Sequence, residues 1–183
     1  IRIWQINPPL HYLVADASGN PATIEYLNGS IVVHKGKDLP FPVLTNSTYV
    51  ESAKAAKDAK VLTGNTSFSF QDNSLQRFTK ACSMVQNYQT HNINQPVVDY
   101  AFEILNDVAV DGFTKWSIVY DLKNKKIHFK TDRFRDIKSA SMSSFDFSCK
   151  SKAMVFDMNQ PVKGEIEQAF QHDTGELNAK IIE

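Results

Sequence analysis

The 183-residue chain has little of what most specialised functions demand. Lysine plus arginine total 20 and aspartate plus glutamate total 20, so the formal charge is zero. Without a basic excess to neutralise a phosphate backbone, nucleic acid is not an expected partner. No apolar run approaches the roughly 18 residues of a membrane span, and no secretory core opens the chain. None of the seven glycines falls in a G-x-G-x-x-G, Walker or G-x-S-x-G pattern. The two cysteines, Cys82 and Cys149, are too far apart for C-x-x-C and read as ordinary thiols. H-E-x-x-H is missing, and the five histidines show no metal-ligand spacing, so no metal or other cofactor is expected. What is present is an ordinary balance of 42% hydrophobic and 22% charged residues. A chain of this length can bury roughly 70% of its unfolded surface, which suits one domain over residues 1–183.

The first third reads as strand. Residues 11–16 and 22–27 are β-rich runs separated by the turn cluster Ser18-Gly19-Asn20-Pro21, in which Asp16 binds nearby backbone. Asn28-Gly29 joins the second run to residues 30–34 and predicts a type I′ hairpin, because both residues accept positive φ. Residues 39–42 carry two prolines and lead into a short expected strand, Val43-Leu44-Thr45. Thr48-Tyr49-Val50-Glu51 is a capping-box pattern that starts a helix reaching about Ala59. Residues 64–73 read as loop. Ser74 is expected to cap a second helix that buries Leu75, Phe78, Cys82 and Val85. Pro96 opens a third, with Val98, Phe102, Leu105 and Ala109 inward. Residues 116–121 and 127–130 alternate as strands around Lys123-Asn124-Lys125, more β-like sequence follows at 137–141 and 153–158, and 163–170 and 176–182 read as short helices. Strands, helices, then strands again make an α+β layout with mostly antiparallel sheet.

The run His11-Tyr12-Leu13-Val14-Ala15-Asp16-Ala17-Ser18-Gly19, then Ala22-Thr23-Ile24-Glu25, then Val43-Leu44-Thr45-Asn46-Ser47, resembles the penicillin V acylase and conjugated bile acid (choloylglycine) hydrolase family. Ser74-Leu75-Gln76-Arg77-Phe78 is similar to that family's arginine-bearing helix, and residues 116–121 with 127–130 to a later hairpin. The resemblance runs from about Pro9 to at least Met158. It implies an N-terminal-nucleophile hydrolase with αββα layers, incomplete in this chain, in which a cysteine exposed at the mature N-terminus attacks a linear amide. The α-amino group of that cysteine is the implied base. With a pKa of about 7.7–8.0 such an amine is poised to take a thiol proton near neutrality, and the thiolate attacks. No cofactor is implied. The implied substrate is a small N-acyl amide, of the phenoxymethylpenicillin type or a glycine or taurine conjugate of a bile acid.

Residue 1 is Ile, and the stretch before Pro9 is too short for the family's nucleophile segment. The resemblance therefore implies the C-terminal portion of a linear amide hydrolase, silent alone, whose partner is the missing N-terminal segment. A sheet face left open in this way invites self-association as a homo-oligomer. Asn46 matches the asparagine whose amide helps form the family's oxyanion hole, and Arg77 the arginine near the nucleophile. On residue pattern alone, Asn46 also reads as a turn cap and Arg77 as a solvated helix residue. Tyr49, Phe68 and Phe70 are candidates to line an apolar acyl pocket, or ordinary packing residues. The competing expectation is a non-catalytic module that keeps the fold and binds an amphipathic ligand or a partner chain. Asn28-Gly29-Ser30, Asn46-Ser47-Thr48 and Asn65-Thr66-Ser67 fit the glycosylation triplet at a frequency chance explains.

Overall fold

A computed structural model describes residues 10–59, 74–91, 93–176 and 179. The chain forms two compact units, one from residues 1–94 with 106–111 and the other from 95–105 with 112–183. No helix among the described residues is long and apolar enough to cross a membrane.

In the first unit β1 (His11–Ala15), β2 (Pro21–Leu27) and β3 (Ser30–Lys35) form an antiparallel sheet in that order. The expected hairpin is present: Asn28 and Gly29 take φ of 51° and 80°, the pair of positive values that matches a type I′ turn to the twist of its strands. Asp16 closes the preceding turn, accepting the Ser18 and Asn20 N–H groups at 2.8 and 2.9 Å. Register puts Leu13, Thr23, Glu25, Val32 and His34 on one face and Tyr12, Val14, Ile24, Tyr26, Ile31 and Val33 on the other. The first face meets α1 (Tyr49–Asp58), where the Tyr49 ring lies 4.8 Å from that of His34. Helix α2 (Ser74–Thr90) packs on α1, and Phe78, fully buried, meets Tyr49 and Phe41 edge-on.

Val43-Leu44-Thr45 is not a strand. Pro40 and Pro42 deny the segment ladder donors. Its groups find other partners instead, with Val43 N–H on the Phe41 carbonyl at 2.9 Å and the Thr45 hydroxyl on the Ser74 carbonyl at 3.1 Å. On α2 the buried arc is wider than the expected stripe. Phe78 and Cys82 are buried while Leu75 and Val85 are half-buried, and Thr79, Lys80, Ala81 and Met84 are buried too. Buried Lys80 is offset by Asp107 at 3.3 Å.

The second unit holds most of α3 (Val97–Asp107), whose buried residues are Tyr100 and Phe102; the helix ends before Ala109. Strands β4 (Trp116–Asp121), β5 (Lys126–Thr131) and β6 (Lys138–Ser141) pair antiparallel, and β8 (Gly164–Glu165) adds parallel to β6. A two-stranded ladder of β7 (Met154–Val155) and β9 (Gln171–His172) stands apart. Residues 163–170 are not a helix: Gly164 sits at φ 74° and gives its N–H to Ile137, so the chain extends there and resumes only a 3-10 turn at Glu167–Ala169. The core is Phe129, Ala140 and Ile166, with Ile118, Ile127, Phe145, Phe156 and Phe170 packed round it.

Candidate active site

Asn46 lies in the irregular turn that enters α1, and two neighbours anchor that turn. Thr48 caps the helix, accepting the Glu51 N–H at 3.4 Å and donating its hydroxyl to the Glu51 carboxylate at 2.8 Å. The Tyr49 N–H is taken by both oxygens of Glu25, at 3.0 and 3.2 Å. Glu25 is 2% exposed, and the imidazoles of His11 and His34 stand 3.4 and 3.7 Å from its oxygens. A buried acid needs partners, and the Tyr49 N–H and the His11 ring supply them; the His34 Nε2 stands close by without a hydrogen bond. The sequence carried one sign of it: an acid between Thr23 and Leu27 on the β2 face that alternates against Ile24 and Tyr26.

A second tie runs to α2. The Ser47 N–H donates to the Ser74 hydroxyl at 3.0 Å, and the two serine hydroxyls are hydrogen-bonded as well. Ser74, at the start of the described part of α2, turns its side chain toward the Asn46 segment. Arg77 follows three positions on, where helical geometry stacks it over Ser74. Its side chain is half-buried, and its Nε is buried without a hydrogen-bond partner. Asn46 itself is exposed, and its amide bonds to no described residue. These contacts gather the two residues matched by motif, Asn46 and Arg77, around the junction of α1 and α2. The N-terminal end of α1 offers less to an anion than its position suggests, because the N–H groups of Tyr49 and Glu51 are already engaged. Among the described residues, the Asn46 amide and the Arg77 Nε are side-chain donors at this junction without a hydrogen-bond partner.

Tyr49 is a packing residue. It is 2% exposed, its ring is set against His34 and Phe78, and its hydroxyl both donates to and accepts from the Phe41 backbone, at 3.1 and 3.2 Å. It supports the turn rather than lining a cavity. Phe68 and Phe70 lie outside the described residues. Cys82 is buried, which pushes it up to about 12, and Cys149 is exposed on the second unit. A thiol so raised is protonated at neutral pH and a poor nucleophile. Among the described residues, no group of three His, Cys, Asp or Glu is placed to hold a metal ion.

The sequence profile of the linear amide C–N hydrolases, choloylglycine hydrolase family, matches residues 1–156. The chain belongs to this family. Among solved structures, the fold is similar to penicillin V acylase from Agrobacterium tumefaciens, with a TM-score of 0.72 and 22% identity over 92% of this chain and 58% of that one. It is similar also to a variant of the conjugated bile acid hydrolase from Clostridium perfringens, with a TM-score of 0.59 and 17% identity over 74% of this chain and 51% of that one. A sequence relative is an uncharacterized protein of Paramecium bursaria Chlorella virus 1, 27% identical over 154 residues, 67% of this chain and 54% of the viral one. This member of the choloylglycine hydrolase family therefore spans little more than half the length of each relative. Its α+β architecture, with mostly antiparallel sheets and helices, is shared with these solved structures.

Proposed function

We propose that residues 1–183 are the C-terminal portion of a single cysteine N-terminal-nucleophile hydrolase domain that cleaves an N-acyl amide. The attacking sulfur belongs to polypeptide outside these residues, because Cys82 is inert by burial and neither Cys82 nor Cys149 falls in the segments that carry the resemblance. Attack of that thiolate on the amide carbonyl places negative charge on oxygen. The Asn46 amide donates to this oxyanion, while Arg77 keeps the thiolate, or a carboxylate beside it, in its charged form. The C–N bond then breaks, the amine leaves with a proton, and water hydrolyses the acyl thioester. The acyl group is apolar, as in penicillin V-type and conjugated bile acid-type amides. Phe68 and Phe70 supply its pocket and Tyr49 backs it.

The observation that supports this reading is the Ser47–Ser74 contact, which seats an unbonded amide beside the helical turn carrying a buried, unpartnered guanidinium nitrogen. The test uses the protein encoded by the intact reading frame. That protein is expected to carry a cysteine that becomes N-terminal and to release amine from phenoxyacetyl or bile acid conjugates. Asn46→Ala is expected to lower kcat by on the order of 10²–10³ with a smaller change in KM. A frame without such a cysteine, or an unchanged kcat in Asn46→Ala, overturns the reading.

A further inference from the structure

The second unit contains a hollow of about 460 Å³ that includes neither Asn46 nor Arg77. Its floor is Ile127, Phe145 and Phe170, part of the packed core. The floor is held rigid by the Phe145–Phe170 edge contact at 4.7 Å and by Phe156 stacked on Phe170 at 5.4 Å. The rim carries Met142, Phe147 and Met154, all exposed, Phe147 by 71%. A hollow of this size, with apolar walls and few polar groups, has the build of a small-molecule site. Apolar side chains held in water around an apolar floor gain free energy when a ligand covers them.

Two charged residues line the hollow, Asp146 and Lys152. Their hydrogen bonding is unequal. The Asp146 oxygens accept the Ser148 N–H at 2.9 Å and the Ser148 hydroxyl at 3.1 Å, whereas the Lys152 ammonium has no hydrogen bond or ion pair with any described residue. Both charges remain, but the Asp146 oxygens are occupied by Ser148, and the Lys152 ammonium is the charged group of the wall with its donors unengaged among the described residues. We propose that this hollow binds a small amphipathic anion, an apolar acyl or aryl body bearing one carboxylate that pairs with Lys152. The site stands apart from the amidase reading and requires no cysteine nucleophile.

The full 183-residue chain is titrated by calorimetry with decanoate, and separately with decyltrimethylammonium, below their micelle-forming concentrations. One saturable site is expected, at least tenfold tighter for the carboxylate. Lys152→Gln is expected to erase that preference, and Ala153→Trp, at an exposed lining position, to abolish binding. A second readout needs no variant. Cys149 is exposed and lies between Ser148 and Ser151, both in the wall, so decanoate is expected to slow its alkylation by iodoacetamide. Absence of saturation, equal affinity for both head groups, or unaltered binding in Ala153→Trp overturns the proposal. Alkylation of Cys149 at an unchanged rate does the same.

Discussion

In the second unit the covered side of the sheet is mostly apolar: Ile118, Ile127, Phe129 and Ala140 lie beneath Phe145, Phe156 and Phe170, with the buried Lys138 ammonium set over the Phe129 and Phe134 rings. In the first unit the polarity is reversed. The side that meets α1 carries Thr23, Glu25 and His34, while Tyr12, Tyr26, Ile31 and Val33 stand exposed on the other. One sheet is held by area removed from water. The other is held by a buried carboxylate that fastens two strands to a helix N-terminus, and its apolar face is the kind that marks an interaction surface. The two units are therefore expected to fail differently.

The sharpest test removes apolar area. Phe129→Ala in the second unit is expected to destabilise by about 3–5 kcal/mol, read from the urea midpoint of intrinsic fluorescence. Glu25→Ala is expected to cost about 1–3 kcal/mol, because it strands the buried Tyr49 N–H and removes the acid beside His11 and His34. Glu25→Gln retains an acceptor for that N–H and should cost less; equal losses in the two variants would mean the carboxylate geometry is immaterial. Gly29→Val, forcing a β-branched residue to φ 80°, should lose about 1–2 kcal/mol and loosen β2 from β3 by hydrogen exchange. Ile31→Lys on the exposed face should change stability by no more than about 0.5 kcal/mol, yet lower self-association in sedimentation velocity. If it unfolds the chain, that face is core after all.

The smallest effect is a matter of pH. The Asn20 side chain, then the backbone N–H groups around it, hold the Asp16 carboxyl below its ordinary value, and the Asn124 N–H followed by its side chain do the same for Asp121. A carboxyl lowered in the folded state contributes stability in full above its ordinary range, and that contribution is lost as pH falls through the folded value. Asp16→Asn and Asp121→Asn should therefore lower stability slightly at neutral pH, leave it unchanged where both carboxyls are already protonated, and so flatten the acid limb of the stability profile.

Features encoded by neighbours along the chain were legible. Asn28-Gly29, the Asp16 turn, the Thr48 cap and the three helices all declare themselves within a few residues. Errors arose where distant partners decide. Residues 43–45 are β-like in composition, but the Thr45 hydroxyl bonds the Ser74 carbonyl, 29 positions away. Residues 163–170 have helical spacing, but Gly164 surrenders its N–H to Ile137. At the candidate site the motif named Asn46 and Arg77, and nothing local could say that Ser47 and Ser74 would join them. Glu25 was on view as part of a motif, yet its burial depends on which side of the sheet α1 covers, and alternation alone does not state that.

β8 joins its sheet parallel to β6, so no tight turn can bring the two strands together. The stretch between them supplies Phe145, Phe156, Met158 and Val162 to the core before the chain returns. The outer edge of this sheet can thus be laid down only after the material beneath it has condensed. A single protease nick in that connection would free the edge and the core filling together, where a nick in a hairpin loop would merely open a turn.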